Sequence, residues 1–283
     1  MMSDTNIKVA IGGLGAIGLK VARYLDGGEI PGMELSAVSA RDQAKLKRNI
    51  SDFRKLPQML PVEQLGQHAD IVIECAPKTI FTAIANSAID NGCTFMPLSV
   101  GALLDNMDLI DRARTKQAVI FVPTGALLGL DAVKAVAEGE VNSITLVTRK
   151  PPGGLAGAPH LIENSINIEN LQQPLRVFEG TAREAARAFP ANVNVAAALA
   201  LAGIGPDRTT VQVWADPSVN RNMHTIEVKS EASNFTMSIE NVPSETPVTG
   251  KITALSVIAS LRRFTSPLVV GTRLSAYTFT YNN

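Results

Sequence analysis

Residues 7–18, IKVAIGGLGAIG, constrain the fold more than any other stretch of the chain. Ile7, Val9 and Ile11 stand in an apolar run that reads as a buried strand, and LKVARYL after it has the spacing of an amphipathic helix. Between the two, Gly13, Gly15 and Gly18 form G-x-G-x-x-G. Glycine-rich turns are common, but one that follows a strand and opens a helix is the dinucleotide-binding fingerprint. The first glycine permits a tight turn, the second lets backbone approach a pyrophosphate, and the third lets helix pack closely on strand. Ala16 and Ile17 then lie at the helix N-terminus, where unpaired N–H groups and the positive end of the helix dipole attract phosphate. All five residues are predicted to bind cofactor.

The next segments repeat the strand–helix alternation. MELSAVSAR reads as a second strand ending near Ala40. An acidic residue at that point would bond the ribose 2′-hydroxyl of NAD, whereas this chain has Ser39, Ala40 and Arg41. An arginine there accepts a 2′-phosphate, so NADP use is expected, alone or beside NAD. Arg41 is otherwise a solvated loop residue, with Asp42 within reach of the ribose. A buried strand at 71–74 ends in the turn Cys75–Pro77, and a helix over 79–90 closes at Asn91-Gly92. CTFMPLSVGAL supplies another strand and turn, and a helix over 105–117 leads into AVIFVPTGALLGL. Such alternation predicts a doubly wound parallel sheet, with ligands beyond the carboxyl ends of its strands. The turns carrying Ala76, Ser99, Gly101 and Ala126 are therefore candidates to line the cofactor. Cys75 has no histidine near it in sequence and reads as a small buried residue, not a nucleophile.

Beyond about residue 130 the pattern changes. VNSITLVTRKPPGGLAG is a strand running into a Pro/Gly loop. LRVFEGTAREAARAFPANVNVAAALALAGIG reads as a helix, a break at Pro190 and a second, alanine-rich helix. Residues 209–242 alternate like three antiparallel strands. The predicted class is α/β, with an N-terminal Rossmann-type doubly wound parallel sheet over 1–125. A C-terminal α+β substrate domain with an open mixed sheet follows over 126–248, and a helix and tail over 249–283. The helix, about 249–264, is expected to pack back on the first domain through Ile252, Leu255, Ile258, Ala259 and Leu261.

Composition removes several function classes. Lys plus Arg and Asp plus Glu both total 26, so no global field draws the chain to nucleic acid or an anionic membrane. Two cysteines and three histidines, all scattered, argue against a disulfide framework or a metal centre. The N-terminus lacks a charged-then-apolar leader and no apolar run is long enough to cross a membrane, which points to a cytoplasmic protein.

Three groups in the second half carry candidate chemistry. Asn192 and Asn194 bracket the start of the alanine-rich helix; one suffices as a cap, and the second carboxamide is available to nicotinamide or substrate. His224 opens a strand after a polar loop. It is either a partly buried strand-edge residue or the proton-transfer partner that hydride chemistry needs. Arg149 and Lys150 end a strand and are either carboxylate ligands or solvated charges. His160 in the Pro/Gly loop is a weaker alternative, and His68 precedes a strand on the wrong side of the sheet.

These residues resemble the L-aspartate dehydrogenase family over essentially the whole chain. The match runs through GLGAIG, SVGAL, PTGALLGLDA, TRKPP, FEGTAREAARAFPANVNVAAALALAG, ADP followed by N-x-x-H, and TGKITALSVIASLRR. The resemblance implies a C-terminal domain like those of dihydrodipicolinate reductase and homoserine dehydrogenase. It implies oxidation of L-aspartate to iminoaspartate with NAD or NADP as hydride acceptor. Iminoaspartate then hydrolyses to oxaloacetate and ammonia or feeds NAD biosynthesis, and the reverse direction is reductive amination. It also implies a catalytic role for His224 and cofactor contacts at Ala126 and Asn194. Members often carry a small residue in place of Leu127 or Leu128, a departure that bears on pocket shape. The competing expectations are a reductase of another small imino or keto acid and a non-catalytic dinucleotide sensor. A homodimer is the expected assembly.

Overall fold

The chain's βα alternation builds a wholly parallel sheet, since each crossover returns the chain to the same end. In the computed structural model, which describes residues 6–190, 194–243 and 250–271, the chain forms two compact units. One comprises Met1–Pro123 with Ala254–Asn283, the other Thr124–Thr253.

In the first unit, β1 (Ile7–Gly12), β2 (Met33–Ser39), β3 (Gln58–Met59), β4 (Ile71–Glu74), β5 (Thr94–Pro97) and β6 (Val119–Ile120) stand in the order β3-β2-β1-β4-β5-β6. The order reverses between β1 and β4, which pair from Val9↔Ile71 to Gly12↔Glu74. Their carboxyl ends thus border the crevice in which such sheets bind ligands. Helices α1 (Ala16–Asp26), α2 (Gln43–Ile50), α3 (Phe81–Asp90), α4 (Val100–Leu103) and α5 (Asp108–Thr115) connect the strands. The helix expected over 79–90 begins as a 3-10 turn, Lys78–Ile80, and the one expected over 105–117 shortens to α5. Gly18, Val21, Ala22 and Leu25 are the buried face of α1, at the spacing of a single apolar stripe.

In the second unit, α6 (Leu130–Val136), β7 (Val141–Lys150), α7 (Pro159–Glu163), β8 (Leu175–Thr181), α8 (Ala182–Ala188), α9 (Asn194–Ala202), β9 (Thr210–Ala215), β10 (Asn222–Ser230) and β11 (Asn234–Asn241) follow in sequence. The sheet order is β11-β10-β7-β9-β8, mixed, with only β7 and β9 parallel. One expectation is corrected here. Leu175–Thr181 is an edge strand, not the start of a helix, because helix α8 is set at its start by a capping box between Thr181 and Glu184. β9, β10 and β11 alternate in direction as expected, with β7 between β9 and β10 in the sheet. On one face Ile144, Leu146, Val211, Val213, Ile226 and Val228 are buried. Alanine-rich α9 can approach this face closely, since a Cβ on Gly203 would lie 2.6 Å from Ile144 Cδ1. The other face, with Val147, Arg149, Gln212 and Trp214, is half-buried.

Helix α10 (Lys251–Thr265) joins the first unit's core, where Val257, Ile258 and Leu261 pack with Val9, Ile11, Leu35 and Val38. Its buried stripe starts from Ala254, giving 254, 257, 258 and 261, an i, i+3, i+4, i+7 series. Ile252, Leu255 and Ala259 of the expected stripe fall on the exposed side, because 252, 255 and 259 form a different face of the same helix.

Candidate active site

The glycine turn after β1 has the geometry its sequence requires. Gly13 has φ +101°, and a Cβ there would lie 2.4 Å from the Cys75 carbonyl oxygen. A Cβ on Gly18 would lie 2.1 Å from the Gly13 carbonyl oxygen, so no other residue lets α1 pack this close. Around Gly15 the space is open to 4 Å. Gly15 is also the N-cap of α1, no side chain caps that end, and the first turn holds no acidic residue. The N–H groups of Ala16 and Ile17 at this end, with the open space over Gly15, fit a dinucleotide pyrophosphate.

At the end of β2, Ser39 is buried and its carbonyl accepts the Gly13 N–H at 2.8 Å. Asp42 caps α2, accepting the Lys45 N–H at 2.9 Å, a bond that holds its carboxyl below the usual range. Its carboxylate is thereby engaged with the helix, and the charged group left exposed beside it is Arg41.

The turns after β4 and β5 meet on one side chain that sequence reasoning did not single out. Glu74, the last residue of β4, is 0% exposed. Its Oε1 accepts from the Ala76 N–H at 2.8 Å and the Ser99 hydroxyl at 3.0 Å. Its Oε2 accepts from the N–H groups of Ser99 at 2.9 Å and Leu98 at 3.2 Å. Burial raises its carboxyl above the ordinary value, while the four donors oppose that shift. Gly101, one turn further, is buried in α4. Burial also pushes the Cys75 thiol well above its ordinary value, which makes it a poor nucleophile. The signal for Glu74 in the sequence was a charged residue closing an otherwise apolar strand.

In the second unit, antiparallel pairing of β10 with β7 sets His224 opposite Thr148. His224 is 3% exposed, and its Nδ1 lies 3.1 Å from Thr148 Oγ1. Lys150, two residues beyond Thr148, shares that face and is 5% exposed. Burial lowers the Lys150 ammonium to about 8. Burial, then the positive charge of Lys150, lowers the His224 imidazole to about 3. His224 is therefore neutral at physiological pH and has a cation for a neighbour. Arg149, grouped with Lys150 in the sequence, points to the opposite face because strand side chains alternate. There it lies 4.7 Å over the Trp214 ring and 3.1 Å from Asp216.

Asn241, which the sequence did not flag, donates to the Ala126 carbonyl at 3.0 Å and so fixes the 124–129 turn on β11. Leu127 in that turn is buried and Leu128 half-buried. Asn194 is the first residue of α9, with an exposed side chain. Asn192 lies outside the described residues. His160 packs edge-on against Phe178 at 5.3 Å and near Phe189 at 5.6 Å, an aromatic cluster and not a proton-transfer site. Among the described residues no group of His, Cys, Asp and Glu is arranged to hold a metal, and no helix is long and apolar enough to cross a membrane.

Comparison with known proteins bears on both units. Residues 131–264 match the family model described as aspartate dehydrogenase, C-terminal, and residues 13–123 match that of the homoserine dehydrogenase NAD binding domain. The L-aspartate dehydrogenase of Bradyrhizobium diazoefficiens is 56% identical, covering 95% of this chain and 96% of its own. L-aspartate dehydrogenase 3 of Bordetella bronchiseptica is 51% identical, covering 96% of this chain and 100% of its own. Among solved structures, aspartate dehydrogenase from Thermotoga maritima has the same fold, with a TM-score of 0.72 at 24% identity over 94% of this chain and 100% of that one. With relatives of this identity spanning nearly its full length, the chain belongs to the L-aspartate dehydrogenase family.

Proposed function

We propose that this chain oxidises L-aspartate to iminoaspartate with NAD or NADP, with His224 as general base. The chain is an NAD(P)-dependent oxidoreductase by family. The observation that carries the site assignment is a buried, neutral histidine beside a buried lysine on one sheet face. In the tautomer with hydrogen on Nδ1, His224 donates to Thr148 Oγ1 and presents an Nε2 lone pair. That lone pair takes a proton from the substrate ammonium, giving the free amine. The bound dinucleotide supplies the acceptor for the Cα hydride as the C=N bond forms. Lys150 holds a substrate carboxylate. The incoming negative charge offsets the lysine's effect on His224, so the imidazole gains basicity when substrate is present. Neutral His224 also serves to activate water when the imine is hydrolysed.

For the dinucleotide, the reading assigns Gly13, Gly15, Ala16, Ile17 and Gly18 to the pyrophosphate, and Ala76, Ser99, Gly101, Ala126 and Asn194 to the remainder. Arg41 receives a 2′-phosphate, which gives NADP use beside NAD. The half-buried sheet face around Trp214 supports pairing of two copies. Two unpaired cysteines suit a reducing cytoplasm.

The test is cofactor oxidation followed at 340 nm with oxaloacetate and ammonium. Oxidation that depends on both substrates is expected with NADH and NADPH. Oxidation without ammonium would make the protein a keto-acid reductase and overturn the proposal.

A further inference from the structure

We infer that Glu74 is a positioning residue for the dinucleotide, holding the β4 and β5 turns in the one geometry that accepts it. The inference rests on the reading that the cofactor lies over these turns. Glu74 pairs in register with Gly12 on one side and Pro97 on the other. It therefore ends the strand beside the switch point, between the glycine turn and the β5 turn. Both carboxylate oxygens are used: Oε1 accepts from the Ala76 N–H and the Ser99 hydroxyl, and Oε2 from the Leu98 and Ser99 N–H groups. Three of the four donors are backbone N–H groups, so the carboxylate fixes main chain and not only side chains. The glycine turn is tied to the same assembly: the Cys75 N–H donates to the Gly12 carbonyl at 2.8 Å, and Gly13 crosses so near the Cys75 carbonyl that a Cβ would clash.

A hydrophobic residue would fill this volume and leave the Ala76 and Ser99 N–H groups without their acceptor and the Leu98 N–H with only its bond to the residue-74 carbonyl at 3.0 Å, whereas a carboxylate accepts from all three. A glutamine has one acceptor oxygen, and its NH2 would face donors at the other position. Glu74→Gln is thus nearly isosteric, yet it loses the Ala76 N–H bond if its NH2 takes the Oε1 place and the Leu98 and Ser99 N–H bonds if it takes the Oε2 place. The turns then relax to alternatives that no longer match the dinucleotide.

The experiment is fluorescence titration of NADH and NADPH onto the purified protein, with thermal midpoints recorded alongside. Glu74→Gln is expected to weaken both cofactors at least tenfold. Ser99→Ala, which removes one donor and keeps the backbone bonds, is expected to weaken them by a smaller factor. If Glu74→Gln does not fold, Glu74→Asp decides: it keeps the charge but withdraws the oxygens from both turns, and unchanged affinity overturns the inference. Leu109→Ala, a core truncation in α5, is the control for destabilisation and should lower the thermal midpoint with cofactor affinity unchanged. A Glu74→Gln variant that binds as wild type overturns the inference. So does a loss of affinity in Leu109→Ala equal to that in Glu74→Gln, because the effect would then be general destabilisation. Gly15→Val tests the underlying reading separately. Its side chain enters open space over the α1 N-terminus, so undiminished binding there would displace the cofactor site itself.

Discussion

Replacing Lys150 by Met separates what this residue costs the fold from what it gives the reaction. The lysine is 5% exposed, and burial lowers its ammonium from 10.5 to about 8. A displacement of that size, at about 1.4 kcal/mol per pKa unit, corresponds to about 3 kcal/mol of destabilisation carried by the charged form. The sign follows from proton binding. Between pH 8 and 10.5 the unfolded chain holds the lysine proton more tightly than the folded one, so wild-type stability falls as pH drops through that window. Below pH 8 the cost is fully present. Met keeps the length and volume and removes the charge. Urea unfolding at pH 7 should therefore show Lys150→Met more stable than wild type by up to about 3 kcal/mol, and the gap should close by pH 10.5. The same variant should raise the KM for aspartate roughly thirtyfold or more, the usual scale for removing one partner of a desolvated charge pair. A Met variant less stable than wild type at pH 7, or a gap that does not change with pH, would refute the burial argument. An unchanged KM would refute the carboxylate role.

Further outcomes follow from the same structure. His224 has its imidazole lowered from 6.5 to about 3, so below pH 6.5 the unfolded chain takes up a proton that the folded one refuses. Stability should fall by about 2 kcal/mol at pH 5 from this group alone, and His224→Gln should flatten that limb of a urea-melt pH series. Arg41→Asp should cut NADPH affinity roughly ten- to hundredfold through loss of a charge-assisted bond, with little loss for NADH, as read by fluorescence titration. Equal effects on the two cofactors would remove Arg41 from the 2′-phosphate site. Gly18→Ala forces a methyl to 2.1 Å from a backbone oxygen, so about 1–3 kcal/mol of stability should be lost together with cofactor binding in thermal melts with and without NADPH.

The sequence was most legible where one local rule decides the outcome. Gly13 and Gly18 are required by steric clash with nearby backbone, and that requirement is written in the glycine spacing itself. The buried strands β1 and β4 stand out as short apolar runs bounded by turn residues. Where two faces compete, the reading slipped. On α10 two helical series overlap, and only packing on the sheet selects the one through Ala254 and Val257. β8 was obscured because a strand of seven residues abuts a helix with strong propensity, and only the Thr181–Glu184 capping box marks the boundary. Arg149 and Lys150 look alike in sequence, but their one-residue offset sends them to opposite faces, which is legible only once the strand is assigned. Glu74 and Asn241 were missed for a different reason. Apart from the neighbouring Ala76 N–H, their partners are groups that tertiary folding brings to them, Leu98 and Ser99 for Glu74 and the Ala126 carbonyl for Asn241, and no local pattern encodes that.

Whether His224 is the general base of aspartate oxidation is read from the turnover of His224→Ala. With saturating aspartate and NAD or NADP, kcat should fall roughly a hundredfold or more while the dissociation constant of NADH stays within about twofold of wild type. Turnover within a few-fold of wild type would contradict the assignment and leave the buried histidine as a packing residue.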